Sequence, residues 1–354
     1  MNMLSVSLLL IIPNVVFGDN VVVSTVNVGI DPHGVGVNSQ THMIYVPNFY
    51  SNSVTVIDGI HDTVIKNITV GFQPLDASVN PNTNKVYVTN ANSKSVSVID
   101  GVSNTIINSI TVGNSPTGIA VDPDTNTIYV ANGFSNNISI INGTSDTVIA
   151  TVNVGKGPTG IAVDSKTHIV YVANSLSNSV TVIDRTANNY TDIPVGSYPV
   201  GIAVDSDTKM VYVANIMGNV SVINSSTNRV ITDVVVGKYP VGIGIDPGPH
   251  LVYVANYDSI VLPMIGTVSI INETSNQVIG NVTVGNNPLG IGIDVSAHKI
   301  YVTNTRSNSV SVISGTSAVP EFSSLSILIT IAVLFSFVVA SHTIFRWRGN
   351  LSVK

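Results

Sequence analysis

The sequence predicts an all-β protein: a seven-bladed β-propeller with four strands in each blade. Three observations lead to this prediction: a repeat of about 42 residues, four β-type segments in each repeat, and a phase shift between the two ends of the chain. The tetrapeptide Tyr-Val-x-Asn occurs seven times, at successive spacings of 42, 42, 42, 41, 41 and 48 residues. The copies begin at Tyr45, Tyr87, Tyr129, Tyr171, Tyr212, Tyr253 and Tyr301. Self-similarity at such a period is typical of repeat architectures, propellers among them.

Each repeat contains four short runs rich in β-branched residues, which we label A to D in chain order. In residues 116–155 the A run is Pro-Thr-Gly-Ile-Ala-Val-Asp, the B run is Ile-Tyr-Val-Ala-Asn, and the C run is Ile-Ser-Ile-Ile-Asn. The D run is Thr-Val-Ile-Ala-Thr-Val-Asn-Val-Gly. Residues typical of turns separate the runs, which indicates strands joined by tight turns. Four strands in this period are typical of a propeller blade, and an open β-solenoid is the alternative.

The ends of the repeat array favour the propeller over the solenoid. The last repeat has A, B and C runs but no D run, whereas an extra D-type run at residues 21–29 precedes the first repeat. This run aligns with residues 63–71 at an offset of 42. The N-terminal strand is therefore predicted to complete blade seven and close the ring, which removes the exposed edge that an open array would keep.

One position of the A run is always small, which predicts that strand A lies nearest the propeller axis. The residues at this position are Gly36, Ser78, Ala120, Ala162, Ala203, Gly244 and Gly292. Their neighbours are mostly Ile or Val. A small residue on one face and a branched residue on the other allow adjacent blades to interdigitate where the sheets crowd together.

With these motifs the sequence resembles the YVTN β-propeller repeat proteins, known largely from archaeal and bacterial cell surfaces. The resemblance covers about residues 20–315, and the literal Tyr-Val-Thr-Asn is present at 87–90 and 301–304. It implies a surface-layer type of role at the cell surface. The tripeptide Pro320-Glu321-Phe322, followed by an apolar segment and then Arg346 and Arg348, resembles an archaeal PEF-type C-terminal sorting signal. Such a signal implies cleavage near the motif and transfer to a surface anchor.

The two ends of the chain predict that the propeller lies outside a membrane. Residues 1–18 contain an apolar stretch, Leu4–Ile12, which is too short to cross a bilayer and is typical of a signal peptide. Residues 19–314 are predicted to form the propeller and residues 315–324 a linker that contains the Pro-Glu-Phe motif. Leu325–Phe345 has no charged side chain and is long enough to be a transmembrane helix, with 346–354 as a basic cytoplasmic tail. A plain membrane anchor is the alternative to a cleaved sorting signal.

The composition excludes several classes of function. Of the 354 residues 10% are charged, and the net charge of −6 argues against nucleic acid as a partner. The chain has no cysteine, which excludes disulfides, cysteine–zinc sites, iron–sulfur clusters and thiol catalysis. No Ser-His-Asp, paired-carboxylate or nucleophile-elbow pattern stands out. We therefore expect no cofactor and assign no catalytic residue.

Four histidines share the repeat position three residues before the tyrosine: His42, His168, His250 and His298. A metal ion needs its nitrogen ligands about 2 Å away, and equivalent turns on neighbouring blades should lie too far apart to share one. We therefore expect solvated turn residues and no metal site. The Asp-rich turns at 122–126 and 205–208 lack the Gly and Glu of an EF-hand loop, so we expect no calcium there.

An insertion in the sixth repeat predicts the binding face. The B–C loop of this repeat has about six extra residues between Tyr257 and Gly266, and it is apolar. Because strand direction alternates, B–C and D–A loops share one face, and long loops on rigid scaffolds commonly bind partners. The predicted contact residues are Phe72, Lys156, Tyr198, Lys238, Tyr239, Tyr257, Asp258, Leu262 and Met264. The alternative is that the insertion covers the mouth of the central channel as a plug.

Eight Asn-x-Ser/Thr sequons are candidate glycosylation sites if the protein is exported. They are Asn67, Asn137, Asn142, Asn189, Asn219, Asn224, Asn272 and Asn281. Several fall in C–D turns or D runs, which form the outer rim of a propeller, where a glycan would be tolerated.

Together these features predict a non-enzymatic cell-surface protein of a coat or of adhesion. Its expected partners are the membrane, through Leu325–Phe345, and surface glycans or other surface proteins, with lateral self-association. The alternative is an exported hydrolase or lyase, lactonase-like, with its site on the B–C/D–A face. That alternative predicts that turnover depends on Lys156, Tyr198 or Lys238.

Overall fold

A computed structural model describes residues 20–187, 189–257 and 266–315. In these residues 28 strands form seven antiparallel four-stranded sheets, which are the seven blades of a propeller. They occupy one compact unit, Asn20–Gly315. The predicted signal peptide, sorting motif and membrane helix lie outside the described residues. Within the described residues, no helix is long and apolar enough to cross a membrane.

The blades follow the repeat in chain order, each sheet running A-B-C-D. Blade 1 has β2 (Gly36–Asn38), β3 (Met43–Asn48), β4 (Ser53–Asp58) and β5 (Thr63–Thr69). Blade 2 has β6 (Pro74–Asn80), β7 (Lys85–Asn90), β8 (Ser95–Asp100) and β9 (Thr105–Thr111). Blade 3 has β10 (Pro116–Asp122), β11 (Thr127–Asn132), β12 (Asn137–Asn142) and β13 (Thr147–Asn153). Blade 4 has β14 (Pro158–Asp164), β15 (Ile169–Asn174), β16 (Ser179–Asp184) and β17 (Asn189–Pro194).

The remaining blades complete the ring. Blade 5 has β18 (Pro199–Asp205), β19 (Met210–Asn215), β20 (Asn219–Asn224) and β21 (Arg229–Val235). Blade 6 has β22 (Pro240–Asp246), β23 (Leu251–Asn256), β24 (Gly266–Asn272) and β25 (Gln277–Val284). Blade 7 has β26 (Pro288–Asp294), β27 (Lys299–Asn304) and β28 (Ser309–Ser314). Its outer strand is β1 (Val22–Asn27) from the other end of the chain.

The predicted ring closure is confirmed. Strand β1 pairs antiparallel with β28, with Val26 opposite Val310 and Thr25 opposite Ser311. The inner A strands of neighbouring blades contact one another around the axis. At the small A-strand position, an added Cβ at Gly292 would lie 2.5 Å from Val35 Cγ1, so the glycine makes room for the branched residue of the next blade. Blades 7 and 1 therefore interdigitate as the sequence predicts.

The hydrophobic core lies between the blades rather than inside any one of them. One cluster combines Tyr45 and Val54 of blade 1 with Val86 and Ile99 of blade 2. The B and C strands are buried along nearly their whole length because a neighbouring sheet covers each face. The D strands face solvent on the outer rim, and β9 exposes five consecutive residues. The middle strands are therefore covered on both faces, and small polar residues such as Ser97 are buried among their apolar side chains.

The seven tyrosines of the repeat connect each blade to the next. The Tyr45 hydroxyl donates to Asn104 Oδ1 of blade 2 at 3.2 Å, and the Tyr301 hydroxyl donates to the Gly59 carbonyl of blade 1 at 3.2 Å. All seven rings are at most 1% exposed. Each ring is therefore covered by apolar side chains, and in most blades its hydroxyl reaches a turn on the following blade. This satisfies the polar end of a buried aromatic residue.

The asparagine that ends each B strand fixes the start of the C strand. Asn90 is fully buried, and its Nδ2 donates to Ser97 Oγ at 3.0 Å and to Ser95 Oγ at 3.3 Å. The Asn90 side chain also covers Gly71, where an added Cβ would lie 2.7 Å from Asn90 Cγ. The repeat therefore requires Asn here because a short amide reaches the C strand and leaves room only for Gly on the D–A loop.

We predict that Asn90→Ala lowers the free energy of unfolding by about 1–3 kcal/mol, because Ser97 loses its buried partner and a small void opens. Urea denaturation monitored by fluorescence measures the change. Asn92→Ala, two residues away on an exposed turn, is the matched control and should change stability by less than about 0.5 kcal/mol. Equal stability of the two variants would contradict the role given to Asn90.

Candidate functional site

The strand ends define two faces. The D–A loops and B–C turns form what we call the upper face, and the A–B and C–D turns form the lower face. A central cavity of about 360 Å³ surrounds the axis. Because its walls are the opening residues of the seven A strands, the cavity lies toward the upper face. The residues that line it include Gly34, Asp76, Gly118, Gly160, Gly201, Gly242 and Gly290.

These seven residues occupy the same repeat position, and only Asp76 is not glycine. The glycine is required because the next blade approaches closely. An added Cβ would lie 2.3 Å from the Thr159 carbonyl at Gly118 and 2.2 Å from the Val200 carbonyl at Gly160. Asp76 is therefore a departure from the repeat at the crowded centre of the molecule. Asp76 is not among the residues predicted from the sequence, although an alignment of the seven repeats shows glycine at this position in the other six.

The backbone amides of two blades hold the Asp76 carboxyl in the cavity wall. Ala77 N–H donates to Oδ1 at 2.9 Å, and Ile119 N–H of blade 3 donates to Oδ2 at 3.2 Å. Burial raises the pKa of Asp76 to about 7, although these two hydrogen bonds act in the opposite direction. The Asp76 side chain is half-buried: part of it faces the solvent in the cavity, and protein covers the rest. Asp76 can therefore exchange a proton near neutral pH.

His33 also lines the cavity, and the N–H of its neighbour Gly34 donates to the Leu75 carbonyl, directly before Asp76, at 2.8 Å. Its Nε2 is 3.3 Å from Asp31 Oδ2, and its ring stacks on Phe49 with centroids 5.0 Å apart. Burial lowers the pKa of His33, and the Asp31 carboxylate opposes that shift only in part. The cavity mouth thus combines an imidazole of lowered pKa with a carboxyl of raised pKa.

The predicted contact residues that the structure describes all lie on the upper face. Phe72, Lys156 and Lys238 are exposed in D–A loops, next to Tyr198 and Tyr239, which have positive φ values of 56° and 51°. Tyr257 N–H donates to the Tyr239 carbonyl at 3.0 Å, which joins the B–C and D–A loops as expected. Asp258, Leu262 and Met264 lie outside the described residues, so the structure does not bear on their predicted contact or on the plug alternative.

The upper face also carries a ring of exposed apolar side chains around the cavity. Eight of them are exposed by 41% to 84%, and Phe134 is the most exposed. They are Ile30, Tyr50, Phe72, Phe134, Leu176, Tyr198, Met217 and Tyr239. Among the described residues of the lower face, large exposed apolar side chains are fewer: Ile60, Val102 and Val295. Three of the eight, Phe72, Tyr198 and Tyr239, are among the predicted contact residues, whereas Ile30 and the four residues on B–C turns are not.

The histidines of the A–B turns are not simply solvated, which corrects our expectation. His42 Nδ1 is 2.7 Å from Asp294 Oδ2, and His168 Nδ1 is 2.8 Å from Asp122 Oδ2. In each pair the aspartate ends the A strand of the preceding blade and is fully buried. These histidines therefore connect neighbouring blades on the lower face.

The candidate glycosylation sites differ in accessibility. Asn67, Asn189 and Asn281 are exposed on the outer D strands. Asn142, Asn224 and Asn272 end C strands, and each Oδ1 accepts backbone N–H groups of its own turn. Asn137 and Asn219 begin C strands and are half-buried. The outer-strand sequons therefore present their amides most openly.

Comparison with known proteins supports the fold. The family model described as "Lactonase, 7-bladed beta-propeller" matches residues 101–191, from the end of blade 2 into the outer strand of blade 4. A solved chain of Kuenenia stuttgartiensis hydrazine synthase is similar with a TM-score of 0.71 at 22% identity, covering 81% of this chain and 96% of that one. No curated protein matches the sequence. The chain is thus a seven-bladed β-propeller with a local likeness to the lactonase family.

We predict that Asp76 makes stability depend on pH. Because its folded-state pKa is about 7 against an ordinary value of 3.8, the folded state binds more protons between these pH values, and stability falls as pH rises through this range. Asp76→Gly, which installs the residue of the other six blades, should remove this loss. Relative to the variant, the wild type should lose about 1–3 kcal/mol between pH 4.5 and 8, less than the full shift implies because the cavity admits water. Urea denaturation at each pH measures the free energy of unfolding. The same change with pH in the wild type and in Asp76→Gly would contradict the raised pKa.

Proposed function

We propose that the protein acts at the cell surface by binding a partner through its upper face, without turnover. The observation that carries the proposal is the ring of eight exposed apolar side chains around the cavity mouth. Single exposed apolar residues are ordinary on a protein surface, whereas a group of them concentrated on one face marks a contact surface. The rigid propeller holds this group in place without a loss of chain entropy on binding.

The chemistry of the upper face favours a protein or glycan partner with negative charge. Lys94, Lys156 and Lys238 are exposed on B–C and D–A loops of the same face as the aromatic rings. These positive charges stand out on a chain whose net charge is −6. Tyr and Phe provide large contact areas at low entropic cost, which is typical of binding surfaces. The combination suits an acidic surface glycan or an acidic face of another surface protein.

The proposed location depends on the ends of the chain. Residues 1–18 would act as a signal peptide and Leu325–Phe345 as a membrane helix, or the Pro320–Phe322 motif would direct transfer to a surface anchor. The resemblance to YVTN surface proteins supports this arrangement. Residues 315–324 would keep the propeller within about 35 Å of the membrane even when fully extended. Such a short linker suits a coat in which neighbouring propellers associate laterally.

The test compares the two faces of the same propeller. The triple variant Phe72→Ser, Phe134→Ser and Tyr239→Ser should weaken binding of the purified chain to cell envelopes of its source by at least about tenfold. The control, Ile60→Ser with Val102→Ser on the lower face, should bind like the wild type. Sedimentation of labelled protein with the envelopes measures both affinities. Equal binding of the two variants would show that the upper face is not the binding surface.

A hydrolase of the lactonase type is the second candidate. The match of the lactonase family model over residues 101–191 favours it. So does Asp76, because a carboxyl whose pKa is near 7 suits general acid–base catalysis at neutral pH. The cavity of about 360 Å³ is large enough for a small lactone. In this case the upper face would admit a substrate rather than a macromolecule.

A panel of lactones and glycans tests the second candidate. If the hydrolase proposal holds, the wild type turns over a lactone, and Asp76→Gly lowers kcat by at least about 100-fold. Lys156→Ala, at an exposed D–A loop, then reports whether the loop lysines also contribute. Absence of turnover across the panel, with intact binding to envelopes, would exclude the hydrolase and leave the binding function.

A further inference from the structure

Three potential metal ligands converge on the lower face between blades 5 and 6. Asp205 ends β18, His250 lies in the A–B turn of blade 6, and Glu273 directly follows β24. Their nearest ligand atoms all lie within 4.8 Å of one another. His250 Nδ1 is 3.5 Å from Glu273 Oε2. These residues therefore form a cluster of nitrogen and oxygen ligands at the opposite ends of the strands from the upper face.

The cluster departs from three regular pairs elsewhere in the ring. At the interfaces of blades 7 and 1, 3 and 4, and 6 and 7, the histidine Nδ1 lies 2.7–2.9 Å from the aspartate Oδ2 of the preceding blade. Each of these pairs is complete in itself. Between blades 5 and 6 the histidine instead faces a second carboxylate, Glu273. The position of Glu273 holds glycine in four blades: Gly59, Gly101, Gly143 and Gly315.

Three of the four carboxylate oxygens of this cluster are buried without a hydrogen bond, whereas Asp205 Oδ1 accepts from the backbone N–H groups of its own turn. Among the described residues, four polar atoms here have no hydrogen-bond partner: both carboxylate oxygens of Glu273, Oδ2 of Asp205 and the hydroxyl of Thr208. The Glu273 side chain is 1% exposed. Buried carboxylates without a partner are strongly unfavourable, so they require a compensating positive charge or a proton. By contrast, Thr125, which corresponds to Thr208, donates to its aspartate Asp122 at 2.7 Å.

A divalent cation compensates this cluster more completely than a proton does. A proton shared between the two carboxyls would still leave further oxygens without a hydrogen bond. One ion can contact His250 and both carboxylates, and two carboxylates balance its charge. Ligand atoms of a tetrahedral zinc ion lie about 3.4 Å apart. The 3.5 Å between His250 Nδ1 and Glu273 Oε2 already matches this spacing, and the other ligand atoms, which lie within 4.8 Å, would have to move closer together. His250 is half-exposed, which gives the ion a path from solvent.

We propose that Asp205, His250 and Glu273 bind a divalent transition-metal ion, with Zn²⁺ as the reference ion. The imidazole ligand favours such ions over Ca²⁺ and Mg²⁺, which take oxygen ligands. The bound ion would join the inner strand of blade 5 to the A–B and C–D turns of blade 6. This proposal departs from the expectation of no metal site, which concerned ions shared between histidines and not one histidine with two carboxylates.

The test measures Zn²⁺ binding to the full-length chain after EDTA treatment. Isothermal titration should give one ion per chain with micromolar affinity or tighter, and Zn²⁺ should raise Tm by about 3 °C or more. Glu273→Gly, which installs the residue of four other blades, should weaken binding by at least about tenfold and keep the fold. His250→Asn should weaken it likewise. The matched control is His168→Asn, at the same repeat position in blade 4, which should bind Zn²⁺ like the wild type.

Three results would overturn the proposal. The first is no stoichiometric Zn²⁺ binding by the wild type, which would leave the carboxyls as a pair that shares a proton. The second is equal Zn²⁺ affinity of the wild type and Glu273→Gly, with circular dichroism confirming that both are folded. The third is Ca²⁺ binding at the same affinity as Zn²⁺, which would contradict the role of the imidazole.

Discussion

Closure of the ring is the constraint on which the rest of the structure depends. Each blade buries its two faces only against its neighbours, so a sheet left at an open end would expose a continuous apolar surface. Pairing of β1 with β28 supplies the missing outer strand of blade 7 from the other end of the chain. Tyr253 extends the same closure, since its hydroxyl donates to Asn20 Oδ1 at 3.1 Å. The two ends of the propeller are thereby fixed to each other.

The regularity of the ring makes its departures informative. The same contacts recur around the ring. Within a blade, the asparagine that ends the B strand binds the C strand. Between blades, the tyrosine contacts a turn of the following blade, and a histidine or asparagine contacts the preceding blade. Asp76 and Glu273 break this pattern, and both place a carboxyl where glycine is usual in the repeat. Both also have a raised pKa, because burial penalises their charged forms. A carboxylate that costs stability in a repetitive scaffold is a strong candidate for function.

Much of the fold could be predicted from the sequence because propeller contacts are periodic. The runs, their order and the outer strand of blade 7 follow from spacing alone, and the small A-strand residues indicate the axis. The candidate sites were harder to predict. Asp122 and His168 are 46 residues apart, so their pairing depends on the twist between blades, which a one-dimensional pattern does not contain. Asp76 could be identified by aligning the seven repeats, because the other six have glycine at its position. Its hydrogen bond from the Ile119 N–H of the next blade could be found only in the structure.

The most direct test uses the absence of cysteine in the chain. Phe134→Cys on the upper face and Val102→Cys on the lower face each introduce one thiol, and both positions are more than 80% exposed. A membrane-impermeant maleimide applied to intact source cells then reports location and contact together. Both purified variants should label equally. On cells Val102→Cys should label, while Phe134→Cys should be protected by the bound partner. Equal labelling of both on cells would contradict the binding face, and no labelling of either would contradict the surface location.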